Sequence, residues 1–371
     1  MSTLNDTKLQ NTFFLLTGVP GLEDIHLWIS IPICLMYVTS ILGNSIILFI
    51  IKTDPNLQEP MYIFLSILAV TDLGLSISTM PTTLGVFLFN SREISHNACF
   101  AQLFFTHSLT LIQSSVLSCM AFDRFLAIFN PLRYTSILTL PRIAKMGVVS
   151  VLKGVILILP FPILLKQYQY CEANILYHSY CLHKEVMTMA CSDFRVGNIY
   201  GFFLTFFSLG LDFLFIVLSY VMILKTVLSI PSHTKSFKAL KTCLSHIFVV
   251  LLFYIPGIGL SMVYRFMKNS SPLVQSVLGN VHFLIPPLIN PIVYSVKTKS
   301  ILSSSPAPQN HTPVTGSLLS LLSIPPWSAL GQPDNLLVHL GCRSYGFCTT
   351  LQLKDQSEKW SLSKSLELNV T

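Results

Sequence analysis

Apolar residues in this chain come in seven long blocks, and polar residues gather in the gaps between them. The blocks run over 28–51, 60–84, 98–128, 141–165, 196–228, 240–264 and 273–296. Each is near the ~20 residues a helix needs to cross a bilayer. The gaps are short and rich in Pro, Asn and Lys, apart from a long one at 166–195. The pattern predicts an all-α membrane protein, a bundle of seven transmembrane helices. The number of blocks is odd and no internal repeat is visible, which argues against a transporter built from paired repeats.

Charge gives the bundle a direction. Lys52, Arg133, Arg142, Lys145, Lys225, Lys235, Lys238, Lys241, Lys297 and Lys299 all fall on one side, in the gaps or at the block ends beside them. The other side is mixed, with Glu23, Asp24, Glu93, Lys166, Glu172, Lys184, Glu185 and Asp193. Because basic loops stay on the cytoplasmic face, the amino terminus is expected outside and the carboxyl terminus inside. Composition fits this reading: 52% of residues are hydrophobic and 11% charged, against roughly 25% charged in soluble domains. The net charge of +7 would suit nucleic acid only if a basic stripe ran among exposed aromatics. Here the basic residues flank the apolar blocks instead, so membrane lipid is the expected partner and nucleic acid is not.

The ends of the chain differ from its middle. Residues 1–27 have no basic start, apolar core or small-residue cleavage site, so no cleavable signal is read there. They carry Asn5-Asp6-Thr7, a glycosylation acceptor, and are expected to be an extracellular terminus. The helical domain is expected over 28–299. Residues 300–371 switch to Ser, Pro and balanced charge, as in Ser303 to Pro308 and Ile324 to Trp327, and read as a disordered cytoplasmic tail.

Polar residues within the blocks carry the functional argument, since charges in hydrocarbon are expensive. The third block ends in Met120-Ala-Phe-Asp-Arg-Phe-Leu-Ala-Ile-Phe-Asn-Pro-Leu-Arg-Tyr134, which sets Asp123 beside Arg124. Gly43-Asn44, Pro60-Met-Tyr-Ile-Phe-Leu-Ser66 with Asp72, Lys238 to His246, Phe253-Tyr-Ile-Pro256 and Asn290-Pro-Ile-Val-Tyr294 complete the set. Together these strings resemble the olfactory receptors of the rhodopsin-like G-protein-coupled family. The entry segment from Gly18 to Pro32 is similar to the class I, or fish-like, subgroup. The resemblance covers about residues 12–299 and departs at Phe125, where Tyr is usual, and at Phe129, where Cys is usual.

The resemblance implies roles residue by residue. Asp123, Arg124, Tyr220, His246, Asn290, Pro291, Tyr294 and Asp72 would form the switch and the face that meets a heterotrimeric G protein, of the stimulatory olfactory type that raises cyclic AMP. Pro256 within a helix removes a hydrogen bond and favours a kink, the physical basis for an outward swing. The family's sodium-holding acid on the third span is replaced here by Gln113. Cys99, Cys171, Cys181 and Cys191 lie on the oxidising side and permit three pairings. The family pattern selects Cys99–Cys181 and Cys171–Cys191.

The ligand is narrowed by what is missing. No carboxylate lies between Cys99 and Asp123 to anchor an amine, and no lysine lies between Pro272 and Val296 to hold retinal. The outer end offers His107, His183, Lys184, and Ser261 with Arg265, the last two four apart and so on one helical face. A guanidinium donates two parallel bonds to a carboxylate, and in the class I subgroup an arginine at this place is associated with acid odorants. The expected ligand is therefore a small carboxylic acid odorant bound over Tyr254. Apolar walls are expected from Phe104, Leu111, Phe203, Phe207 and Ile258. No catalytic constellation, cofactor or metal site is read, His178 and His183 being the only spaced pair in the loop. Two rival readings share these residues: a receptor for an endogenous metabolite acid outside the nose, and a non-signalling protein held in the endoplasmic reticulum by its altered tail.

Overall fold

A computed structural model describes residues 13–57, 59–170, 175–229, 233–267 and 271–304. The predicted blocks form seven helices: α1 (His26–Thr53), α2 (Pro60–Phe89), α3 (His96–Phe129), α4 (Leu140–Gln167), α5 (Arg195–Leu228), α6 (His233–Phe266) and α7 (Pro272–Ser304). All seven are long and apolar enough to cross a membrane. Their ends lie beyond the apolar blocks where capping chemistry allows. Pro60 opens α2 at a position whose N–H would be unpaired anyway, and Ser95 caps α3 by accepting from the Ala98 N–H at 3.4 Å. Asn90 closes α2 in the left-handed conformation, φ 51°, which a short amide side chain tolerates.

α3 is the axis of the bundle. It packs against α2, α4, α5 and α6, while α1 and α7 close the ring beside α2. Most of its inward positions are buried, from Cys99 through Val116 and Ala121 to Leu126. The approach of α4 is close because Gly154 faces α3. A Cβ at that position would stand 2.6 Å from Ile112 Cγ1 and 2.8 Å from the Ser108 carbonyl oxygen. The outward faces keep large apolar side chains exposed, among them Trp28, Phe49, Ile77, Ile156 and Ile199, as a surface that meets lipid requires.

Interior polar groups follow the rule that hydrocarbon leaves none unpaired at low cost. Pro291 has no N–H to give the carbonyl of Pro287 four residues earlier. Asn44 Nδ2 of α1 donates to that carbonyl at 2.9 Å, so two motifs far apart in sequence complete one another. Asp72 accepts from Asn290 Nδ2 at 2.9 Å and from Gln113 Nε2 at 2.6 Å. Asn44 thus bonds the Pro287 carbonyl of α7, while Asn290 of the same helix turns to Asp72.

At one end of the bundle, here the loop end, the long connection folds down as a lid. Strand β1 (Phe13–Leu16) pairs antiparallel with β2 (Glu93–Ser95), Phe14 facing Ile94, and parallel with β3 (Ile175–Leu176), Leu16 facing Leu176. The Cys99–Cys181 disulfide ties α3 to the lid. Gln102, one turn below Cys99, accepts from the Cys181 N–H at 2.8 Å. Cys191 is also disulfide-bonded; its expected partner Cys171, the acceptor Asn5 and most of the tail lie outside the described residues.

Candidate functional site

Beneath the lid lies a cavity of about 420 Å³ bounded by α3, α5, α6, α7 and the short loop helix His183–Thr188. Its walls are mainly apolar with a few polar groups, the composition of a small-molecule pocket. His107, His183, Lys184, Tyr254, Ser261 and Arg265 all line it. These six come from three elements, the third helix, the loop and the sixth helix, and the fold brings them to one space.

Arg265 sits in the last turn of α6. Its Nε donates to Ser261 Oγ at 3.4 Å, and its guanidinium carbon lies 4.9 Å from the centre of the Phe202 ring. Lys184 Nζ donates to Asn198 Oδ1 at 2.8 Å. Among the described residues no carboxylate pairs with either cation. The lysine's sequence neighbour Glu185 points away, into the lid. His183 is buried, its ring 3.8 Å from that of Phe161. Burial, and then the charges of His107, Lys184 and Arg265, hold its pKa well below the usual histidine range, so it enters the pocket neutral. His107 keeps its ring fixed through Nδ1 to the Leu103 carbonyl at 3.0 Å.

The expected walls are only partly right. Leu111 and Ile258 line the cavity, whereas Phe203 and Phe207 stack on each other on the outward face. The cause is a π-helical turn at Leu204–Leu209, where one extra residue per turn breaks the regular period. Leu204, Thr205, Phe206 and Leu209 face the cavity in their place. Phe104 packs beside the cluster under the lid rather than against the cavity.

A polar network under the floor was not read from sequence at all. Tyr254 Oη shares a hydrogen bond with Ser114 Oγ at 2.7 Å, and Ser114 donates to Asp212 Oδ2 at 2.8 Å. Lys153 Nζ meets the same oxygen at 2.7 Å, with Ser115 bridging. Four helices, α3 to α6, are thus joined below the ligand space. The signal was available: Lys153 and Asp212 are single opposite charges inside apolar blocks, which need partners.

The lid carries a second buried group. Glu185 accepts from the Tyr177 N–H and lies with Oε2 3.6 Å from His178 Nδ1, while His178 Nε2 bonds the Tyr264 hydroxyl of α6 at 3.1 Å. Burial raises the Glu185 carboxyl to about 8 and lowers His178 to about 3. His178 and His183 therefore have separate partners and do not form a shared ligand pair.

At the opposite end, Arg124 Nη2 stands 3.1 Å from Asp123 Oδ2, and the Tyr134 hydroxyl donates to Asp123 Oδ1 at 2.6 Å. Burial, with the Asp123 carboxylate, pushes the Tyr134 phenol pKa up, so it stays a donor. Tyr220 Oη is 2.6 Å from His246 Nδ1, joining α5 to α6, and Tyr294 is buried in the same core.

This arrangement can be set beside known proteins. The family described as olfactory receptor matches residues 33–305. Human olfactory receptor 51A4 is 58% identical over 301 residues, covering 81% of this chain and 96% of the relative. Human olfactory receptor 51G2 is 57% identical over 297 residues, covering 80% and 95%. Human olfactory receptor 51E1 is 47% identical over 297 residues, covering 80% and 93%. The chain belongs to the olfactory receptor family.

The receptor is accordingly a multi-pass membrane protein that signals rather than catalyses, with a small-molecule ligand and a G protein as partners. The family match stops at residue 305, close to where composition changes to Ser and Pro.

Proposed function

We propose that the receptor senses small carboxylic acids in the lidded cavity and activates a stimulatory olfactory-type G protein, raising cyclic AMP. The observation that carries this reading is Arg265, a fixed cation lining an apolar cavity with no carboxylate partner among the described residues. Such a fork is complementary to an incoming carboxylate, and Ser261 beside it adds a further polar contact. The alkyl remainder would lie against Leu111, Ile258 and Phe206, and Tyr254 would report its presence through Ser114 to Asp212.

In this reading the lid faces outward, with the amino terminus outside, at the plasma membrane of olfactory cilia. The Asp123–Arg124 pair and the Tyr220–His246 bond hold the cytoplasmic end closed. Ligand acts by its preference for the open arrangement, in which α6 swings about Pro256 and Arg124, Tyr220 and Tyr294 come together. The test is cyclic AMP in cells expressing the full chain, challenged with aliphatic acids and their alcohols and methyl esters. Acids alone should respond, and Arg265→Ala should remove the response at unchanged surface level. A response of equal strength to the esters would overturn the acid reading.

A further inference from the structure

Lys184 gives the cavity a second cation beside Arg265, and the two are positioned by neighbouring side chains of one helix. Lys184 is held by Asn198 at 2.8 Å, and Arg265 lies over Phe202, with its carbon 4.9 Å from the ring centre. Asn198 and Phe202 are four apart in the first turns of α5. They therefore share a face and lie about 6 Å apart along the axis. Both cations line the same cavity, at its lid end, and no carboxylate among the described residues neutralises either. The electrostatic consequence is visible at Lys184, whose pKa is lowered by burial and then by the Arg265 charge. Two like charges lining one partly buried space repel one another, so the site is relieved by an anion that meets both.

We propose that the preferred ligands are alkyl dicarboxylates with both carboxylates at the same end of the molecule, one on Arg265 and one on Lys184. This rests on the acid reading of the cavity and deepens it. Two carboxylates on adjacent carbons can each meet one of the two cations, whereas a single carboxylate leaves one of them without an anionic partner of its own. A long diacid charged at both ends is disfavoured, because its second carboxylate would be carried down among Leu111, Leu209 and Phe213.

The test is direct binding to the full-length receptor in lipid nanodiscs at neutral pH, which does not depend on delivery or coupling. Three eight-carbon probes are compared: octanoate, octanedioate and butylsuccinate. Butylsuccinate should bind at least about tenfold more tightly than octanoate, and octanedioate should show no such gain. Lys184→Gln should remove the gain, so that butylsuccinate and octanoate bind that variant alike, while Lys184→Arg should retain it. Octanoate binding with no gain for butylsuccinate overturns the two-cation proposal and leaves the acid reading standing. A gain that survives Lys184→Gln, or that belongs to octanedioate, also overturns it. Binding of none of the three overturns both, and the ranking in the unmodified receptor decides the matter even if a variant fails to fold.

Discussion

Removing the acid of the Lys153–Asp212 pair should destabilise the bundle far more than removing both charges together. Asp212 Oδ2 receives Lys153 Nζ at 2.7 Å and the hydroxyls of Ser114 and Ser115 at 2.8 and 3.2 Å. The two side chains are only 26% and 15% exposed, and both sit within membrane-spanning helices. Asp212→Asn keeps the shape and lets the serines still donate, but it leaves an ammonium with no counter-charge in a poorly polarisable setting. Breaking one partner of such a pair costs about 3–5 kcal/mol, and the partial exposure of Lys153 places this case near 3. Asp212→Asn with Lys153→Met removes the stranded charge, and the pair of changes should come within about 1 kcal/mol of the parent, since a buried pair repays little beyond its own desolvation. Reversible unfolding in mixed micelles, run as a double-mutant cycle, measures both quantities. If the single change costs less than about 1 kcal/mol, or the double change costs as much as the single, the charge argument is wrong and the network is held by its hydroxyls.

Other consequences of the geometry are equally open to measurement. Glu185 is raised from 4.5 to about 8, so the stability it confers is full below pH 4.5 and is lost as pH climbs through 8; His178, lowered from 6.5 to about 3, is opposite, losing stability as pH falls through 3. The slopes cancel between 4.5 and 6.5, and from pH 6.5 to 8 Glu185 alone should cost the lid about 2 kcal/mol, read by hydrogen exchange at 175–190; Glu185→Gln should flatten that limb, and a slope unchanged by the substitution would refute the assignment. Gly154→Val should force α4 off α3, because its Cβ meets the Ser108 backbone, which cannot turn aside; an overpacking loss of about 1–3 kcal/mol is expected, and unfolding in mixed micelles unchanged from the parent would show that the helices have room to part.

The sequence by itself determined the seven helices and their approximate ends, because a bilayer demands contiguous apolar length and the chain has no other way to satisfy its backbone there. It also brought Arg265 and Ser261 together, since a spacing of four is a property of one helix, and it singled out Cys99 and Cys181 once the resemblance supplied the pairing. Neighbouring positions misled where chain order and spatial order parted. Lys184 and Glu185 are adjacent, yet one turns to Asn198 and the cavity while the other turns to His178 in the lid. Phe203 and Phe207 fit a regular period that the π-helical turn interrupts. Only the tertiary structure could join Asn44 to Pro287, or Lys153 to Asp212, because each pairing is made between helices whose relative rotation no local pattern encodes. Hydrophobic length is a local quantity, and the chain spells it out residue by residue. The partners of buried charges are set by packing, where the cost of leaving a group unpaired selects among many possible neighbours only once the helices have met.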